Sequence, residues 1–205
     1  WFNGTRKIGR GWNNMRILMT GADFDGDGYT DILAIRYDAD LYLYRGNGDG
    51  GFKSSKIIGY GWHAFQSVVM VPKGPGGNPA LIGQRGDTTW VYPTNGSGTW
   101  GTPYTVELPG GITSYTFCAG DLAGTGYSTL MRVNGSNLEV LSTTDYKSFS
   151  AMEPIKLNGL PVKYAAINGF SSGASGYLDV VNSDRDFLQY EVTRKVKPAD
   201  QDSPP

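Results

Sequence analysis

Four aspartates at close spacing are the residues best suited to chemistry in this chain. Asp23, Asp25, Asp27 and Asp31 stand at positions 1, 3, 5 and 9 of a loop within the stretch Gly21 to Ala34, with Gly28 at position 6. Alternating carboxylates in a tight loop turn their oxygens toward one centre, and calcium takes about six to eight oxygens. The pattern predicts one Ca²⁺ site: Asp23, Asp25 and Asp27 through side chains, Tyr29 through its carbonyl, Asp31 directly or through water. The competing reading is a solvated acidic turn, in which four carboxylates repel one another without a cation. An EF-hand needs a Glu at position 12 and flanking helices. Ala34 stands there instead, inside the β-rich run Asp31-Ile-Leu-Ala-Ile-Arg36, so the loop joins strands.

A second group carries recognition chemistry. Trp12 and Trp62 sit in the glycine-rich connectors Ile8-Gly-Arg-Gly-Trp12 and Ile58-Gly-Tyr-Gly-Trp62. An aromatic face suits the C–H face of a sugar, and Arg10, Tyr60, His63, Asp38 and Asp40 add hydrogen-bonding groups. The alternative is a structural plug, repeated because the architecture repeats. Catalysis has little to stand on. His63 is the only histidine, neither Gly-x-Ser-x-Gly nor His-Glu-x-x-His occurs, and Glu107, Glu139, Glu153 and Glu191 are scattered. Asp38 and Asp87 on one face would imitate a glycosidase pair, but the expectation is a non-catalytic protein.

The elements that position these residues follow from repetition. The Ile-Gly-x-Gly-Trp connector returns as Leu108-Pro-Gly-Gly-Ile112 and Leu157-Asn-Gly-Leu-Pro161, and Leu-Tyr-Leu-Tyr44 returns as Thr-Trp-Val-Tyr92, Leu-Glu-Val-Leu141 and Phe-Leu-Gln-Tyr190. The step is about 49 residues, giving four repeats. In the first, strands are expected at Arg16–Thr20, Asp31–Arg36, Leu41–Arg45 and Phe52–Ile58, apolar on both sides. Four strands per repeat is the pattern of a β-propeller blade. The fold class is therefore all-β, a propeller of four-stranded blades. Residues 1–194 form one domain, with repeats at about 9–57, 58–107, 108–156 and 157–194. Phe2–Ile8 resembles Phe52–Ile58 and is expected to complete the last blade and close a four-blade ring. A segment of a larger propeller, or two chains pooling blades, remains open. Residues 195–205 read as a Pro-rich disordered tail.

Composition narrows the partners. The net charge is −1 with no Lys/Arg run, which argues against nucleic acid and anionic membrane. The longest apolar run, Val68 to Val71, is too short to span a bilayer. Without a leader the sequence reads as a mature chain or an excised domain. Cys118 stands alone, so neither a disulfide framework nor a Cys-based zinc site is expected.

The runs Asp-Phe-Asp-Gly-Asp-Gly-Tyr-Thr-Asp31, Leu-Tyr-Leu-Tyr-Arg-Gly-Asn-Gly-Asp-Gly-Gly-Phe52 and Ile-Gly-Tyr-Gly-Trp62 resemble the FG-GAP/VCBS repeat family, particularly arrays attached to secreted bacterial cell-wall hydrolases and peptidases. The resemblance is strong over residues 8–62 and fades afterwards. It implies calcium-binding propellers that serve adhesion or recognition. The calcium pattern is complete once: its positions become Asp121, Ala123, Thr125 and Thr129 in the third repeat, and Ser171, Gly173, Ser175 and Asp179 in the fourth. Pro72–Pro79 replaces it in the second. The combined expectation is an extracellular or cell-wall-associated bacterial module, stabilised by calcium and binding cell-wall glycan or another carbohydrate. The rival is a structural or protein-interaction propeller with no sugar site.

Overall fold

The computed structural model describes residues 7–113 and 116–156, together with the backbone of Val162–Asn168, Ser175–Asn182 and Phe187–Thr193. Most of Phe2–Ile8, the Ser171 to Gly173 part of the fourth loop and the 195–205 tail lie outside the described residues.

The chain is all-β, built of antiparallel sheets in sequence order. The first sheet comprises β1 (Met15–Ala22), β2 (Asp31–Arg36), β3 (Leu41–Gly46) and β4 (Phe52–Gly59), paired consecutively. The second repeats this plan with β5 (Ser67–Val71), β6 (Ala80–Arg85), β7 (Thr88–Pro93) and β8 (Tyr104–Val106). In the third, β9 (Thr116–Cys118), β10 (Leu130–Asn134) and β11 (Asn137–Ser142) are followed by two short pieces, β12 (Ser150–Ala151) and β13 (Ile155–Lys156), both paired with β11. The fourth holds β14 (Val162–Asn168), β15 (Ser175–Asn182) and β16 (Phe187–Thr193). The leading strands adjoin in turn, β1 with β5, β5 with β9, and β9 with β14.

Period-two alternation explains the stacking. Val68 and Met70 of β5, Leu81 of β6 and Tyr92 of β7 pack toward the first sheet, in a core with Leu33, Ile35, Leu41 and Leu43. Val69, Val71, Ala80, Ile82 and Val91 belong to the core shared with the third sheet, with Leu130, Leu141 and Tyr146. The second sheet is thus buried on both faces. One expectation changes here. β4 is not apolar on both sides: Lys53, Ser54, Ser55 and Lys56 are all exposed. As the last strand of its sheet it borders solvent, where lysines discourage pairing with another chain.

Strand alternation sends successive connections to opposite ends. The Asp23–Thr30 loop meets the β3–β4 turn at one end, where the Gly46 amide donates to Asp31 Oδ1 at 2.8 Å. At the other end the Trp62 amide donates to the Ala39 carbonyl at 2.9 Å and the Tyr37 amide to Asn14 at 3.1 Å.

Candidate metal centre

Asp31, the first residue of β2, is fully buried, and both oxygens of its carboxylate accept from backbone amides. Oδ2 accepts from the amides of Phe24 (2.9 Å) and Asp25 (3.3 Å), while Oδ1 accepts from Gly46. Burial pushes its pKa up, and the three amides act against that shift. Asp23 winds the loop: Oδ1 accepts from Gly26 (2.8 Å) and Asp27 (3.1 Å), Oδ2 from Gly28 (2.7 Å). Gly26 and Gly28 have φ of 78° and 89°, a left-handed region that glycine enters freely. Phe24, wholly buried, anchors the loop to the core against Trp100.

Asp25 and Asp27 have a different role. Arg45, at the end of β3, pairs through Nε with Asp25 and reaches Asp27 at 3.3 Å; Lys53 of β4 pairs with Asp27 at 2.9 Å and stands over the Tyr29 ring. The Lys53 hydrogen bond holds Asp27 below the usual carboxylate range. The Asp25 side chain is only 6% exposed, and its Oδ1 is buried with no hydrogen-bond partner. Asp23, Asp25 and Asp27 each offer an oxygen, all within 4.8 Å of one another. Asp31 lies outside that group. Its oxygens hold backbone, a use that the spacing alone did not foretell.

The third repeat supplies an internal comparison. Asp121 accepts from the amides of Thr125 (2.8 Å) and Gly126 (3.0 Å), as Asp23 does from Asp27 and Gly28. Thr129 Oγ1 accepts from Ala123 at 3.2 Å, in the place where Asp31 accepts from Asp25. The loop therefore forms with Ala123 and Thr125 where the first repeat has Asp25 and Asp27. Neither position needs a carboxylate for the loop to form, since Thr125 Oγ1 accepts from the Tyr127 amide as Asp27 Oδ1 accepts from Tyr29. A hard cation among Asp23, Asp25 and Asp27 would add to the neutralisation that Arg45 and Lys53 supply and would give the orphaned Asp25 oxygen a partner. The donor set fits calcium.

Arg45 and Lys53 escape a search for acidic spacing. The signal that finds them is topological: the run Tyr44-Arg-Gly-Asn-Gly-Asp-Gly-Gly-Phe-Lys53 brackets a turn at the same end as the loop.

The connector residues divide. Trp62 is 5% exposed and packed among Phe65, Tyr92 and Trp100, with ring centroids 5.1, 4.9 and 6.0 Å away. Its ring lies over Gly59, where a Cβ would strike the indole. It fills the seam between the first two sheets and presents no open platform. Trp12 is half-buried on Tyr44 and Phe52, with its ring over Gly9. Tyr60 is 78% exposed, and Arg10, His63 and Asp38 are also exposed, with Asp40 half-buried. Asp38 pairs with Arg36 at 3.0 Å. The Ala39–Trp62 backbone hydrogen bond brings the Asp38–Asp40 turn beside the Trp62 connector, and Tyr37, 70% exposed, stands in the same region. Among the described residues no hydrogen bond or ion pair joins Arg10, Tyr60 or His63 to that turn.

Residues 23–71, from the acidic loop to the end of β5, match the model of the FG-GAP-like repeat. The match supports kinship with that repeat over this stretch and suggests an interaction module of a kind that is generally non-catalytic and typically found in extracellular proteins. No curated protein matches the chain. Among the described residues no helix is long and apolar enough to cross a membrane.

Proposed function

We propose that the chain is a calcium-stabilised β-propeller of four blades, closed by Phe2–Ile8 against the fourth repeat, that acts outside the cell as a non-catalytic recognition module for carbohydrate. The order in which β1, β5, β9 and β14 adjoin supports the propeller. The observation that carries the calcium reading is the Asp25 carboxylate, clustered with Asp23 and Asp27 and holding a buried, partnerless oxygen at a position where the third repeat has alanine. Asp23, Asp25 and Asp27 would hold the ion, with the Tyr29 carbonyl and Asp31, directly or through water, completing the set. Bound calcium supplies charge neutralisation. The chain's own residues do the rest: Asp23 and Asp31 keep the loop wound, and Phe24 ties it to the core.

The carbohydrate reading rests on the end opposite the loop. There Tyr37 and Tyr60 expose rings, and Arg10, His63, Asp38 and Asp40 offer polar groups, while Trp62 buttresses from inside and Trp12 stands half-open. A protein-interaction propeller is the second reading, favoured by one observation, the enclosure of Trp62. Retention on insoluble cell-wall polysaccharide, with and without calcium, separates them. Binding that is lost in Tyr37→Ala/Tyr60→Ala while the fold persists supports the sugar reading. No retention on any polysaccharide refutes it.

A further inference from the structure

We propose that a cleft between the second and third sheets is a separate binding site for a neutral, hydroxyl-rich sugar. The cleft is about 850 Å³, within the usual range for small-molecule sites. It arises where bulk is lost from a repeated position. At the first seam Trp62 and Trp100 meet with centroids 6.0 Å apart. One repeat later the corresponding residues are Ile112 and Phe149, both in the core between the second and third sheets. Phe149 lines the cleft where the first seam has the larger Trp100.

The walls have the chemistry of a hydroxyl-binding site. Asp87, from the β6–β7 turn, and Glu107, just after β8, are acceptors; Lys147, from the turn after β11, is a donor. All three are exposed, and among the described residues none uses its charged head in a hydrogen bond or ion pair. Thr88 and Thr105 add hydroxyls that can donate or accept. Val106 and Leu108 are buried in the wall, and Phe149 is held edge-on to Tyr146 at 5.6 Å. A sugar matches this set: its C–H face meets apolar wall while its hydroxyls satisfy acceptors and donors together. Two carboxylates against one ammonium repel phosphate and uronate. The site is built, because Glu107 bridges to Ser148 across the seam, fixing one sheet's wall against the other's.

The inference rests on the carbohydrate reading but not on the Tyr37/Tyr60 surface, and the two can fail separately. Amide-resolved NMR titration of the full chain uses cellotetraose, chitotetraose and mannotetraose as probes, with tetragalacturonate and trilysine as charged controls. The expected result is that at least one neutral probe shifts the amides of Thr88, Thr105 and Ser148. In Asp87→Asn/Glu107→Gln the affinity for that probe falls by about tenfold or more, with the melting temperature unchanged because neither carboxylate has a protein partner. Shifts confined to Tyr37, Tyr60 and His63, with the cleft amides still, overturn the cleft and leave the carbohydrate reading standing. No shift with any neutral probe overturns both. Binding of trilysine or tetragalacturonate at the cleft in preference to the neutral probes overturns the assignment of ligand class.

Discussion

Replacing Asp25 with alanine tests the division of labour within the acidic loop. The substitution gives the first repeat the residue that the third already carries at Ala123, where the loop keeps its hydrogen bonds. It removes the buried oxygen without a partner and frees Arg45, about a third exposed, to return to water. Without calcium the stability change is therefore expected within about 1 kcal/mol, because losing an ion pair that is open only on its Arg45 side is set against relief of the unsatisfied buried oxygen. With calcium the difference is larger. Extracellular calcium modules bind with Kd of roughly 10⁻⁴–10⁻³ M, so about 10 mM calcium stabilises the parent by roughly 1.4–2.7 kcal/mol through linkage. For a chain of this size that corresponds to a rise of roughly 3–11 °C in melting temperature. The assay is thermal unfolding of parent and Asp25→Ala in chelator and in calcium, beside a calorimetric titration. Parent protein that shows neither heat nor thermal shift refutes the calcium site. A variant that keeps the full calcium response refutes the placement of Asp25 in it.

Other substitutions should separate along the same lines. Asp31→Ala strands two buried amides and a partly buried one and should cost about 2–4 kcal/mol with or without calcium, while Asp31→Thr, which imitates Thr129, should cost less; chemical denaturation measures both. Trp62→Ala should cost about 3–5 kcal/mol by opening the seam between the first two sheets, and Trp12→Ala clearly less because its ring is half exposed. Gly59→Ala should destabilise by about 1–3 kcal/mol by pushing the Trp62 indole off its seat, visible as a shift in tryptophan fluorescence. Glu139 is held below its ordinary pKa of 4.5 first by the Asn134 hydrogen bond and then by Arg132. A depressed acid stabilises fully above its unfolded pKa and loses that contribution as pH falls through the folded value. Melting temperatures should therefore fall more steeply below about pH 4.5 in the parent than in Glu139→Gln.

The strand plan was legible because it depends on local pattern. Alternation and turn residues placed Asp31–Arg36 at its observed bounds and the other three strands of the first sheet within a few residues. The acidic loop was equally legible as a unit, since its four aspartates lie within nine residues of one another. What each aspartate does was not. Asp31 is a backbone holder because the Gly46 amide, fifteen residues away, arrives beside it only when β2 and β3 pair. Asp25 meets Arg45 for the same reason. Tertiary packing also decided the fate of the two equivalent tryptophans. Trp62 has a sheet on either side of its connector and is swallowed by the seam, whereas Trp12 packs on Tyr44 and Phe52 of the first sheet and stays half open. Alternation records which residues share a face. Whether a second sheet covers that face is set by the stacking order, which local spacing does not encode.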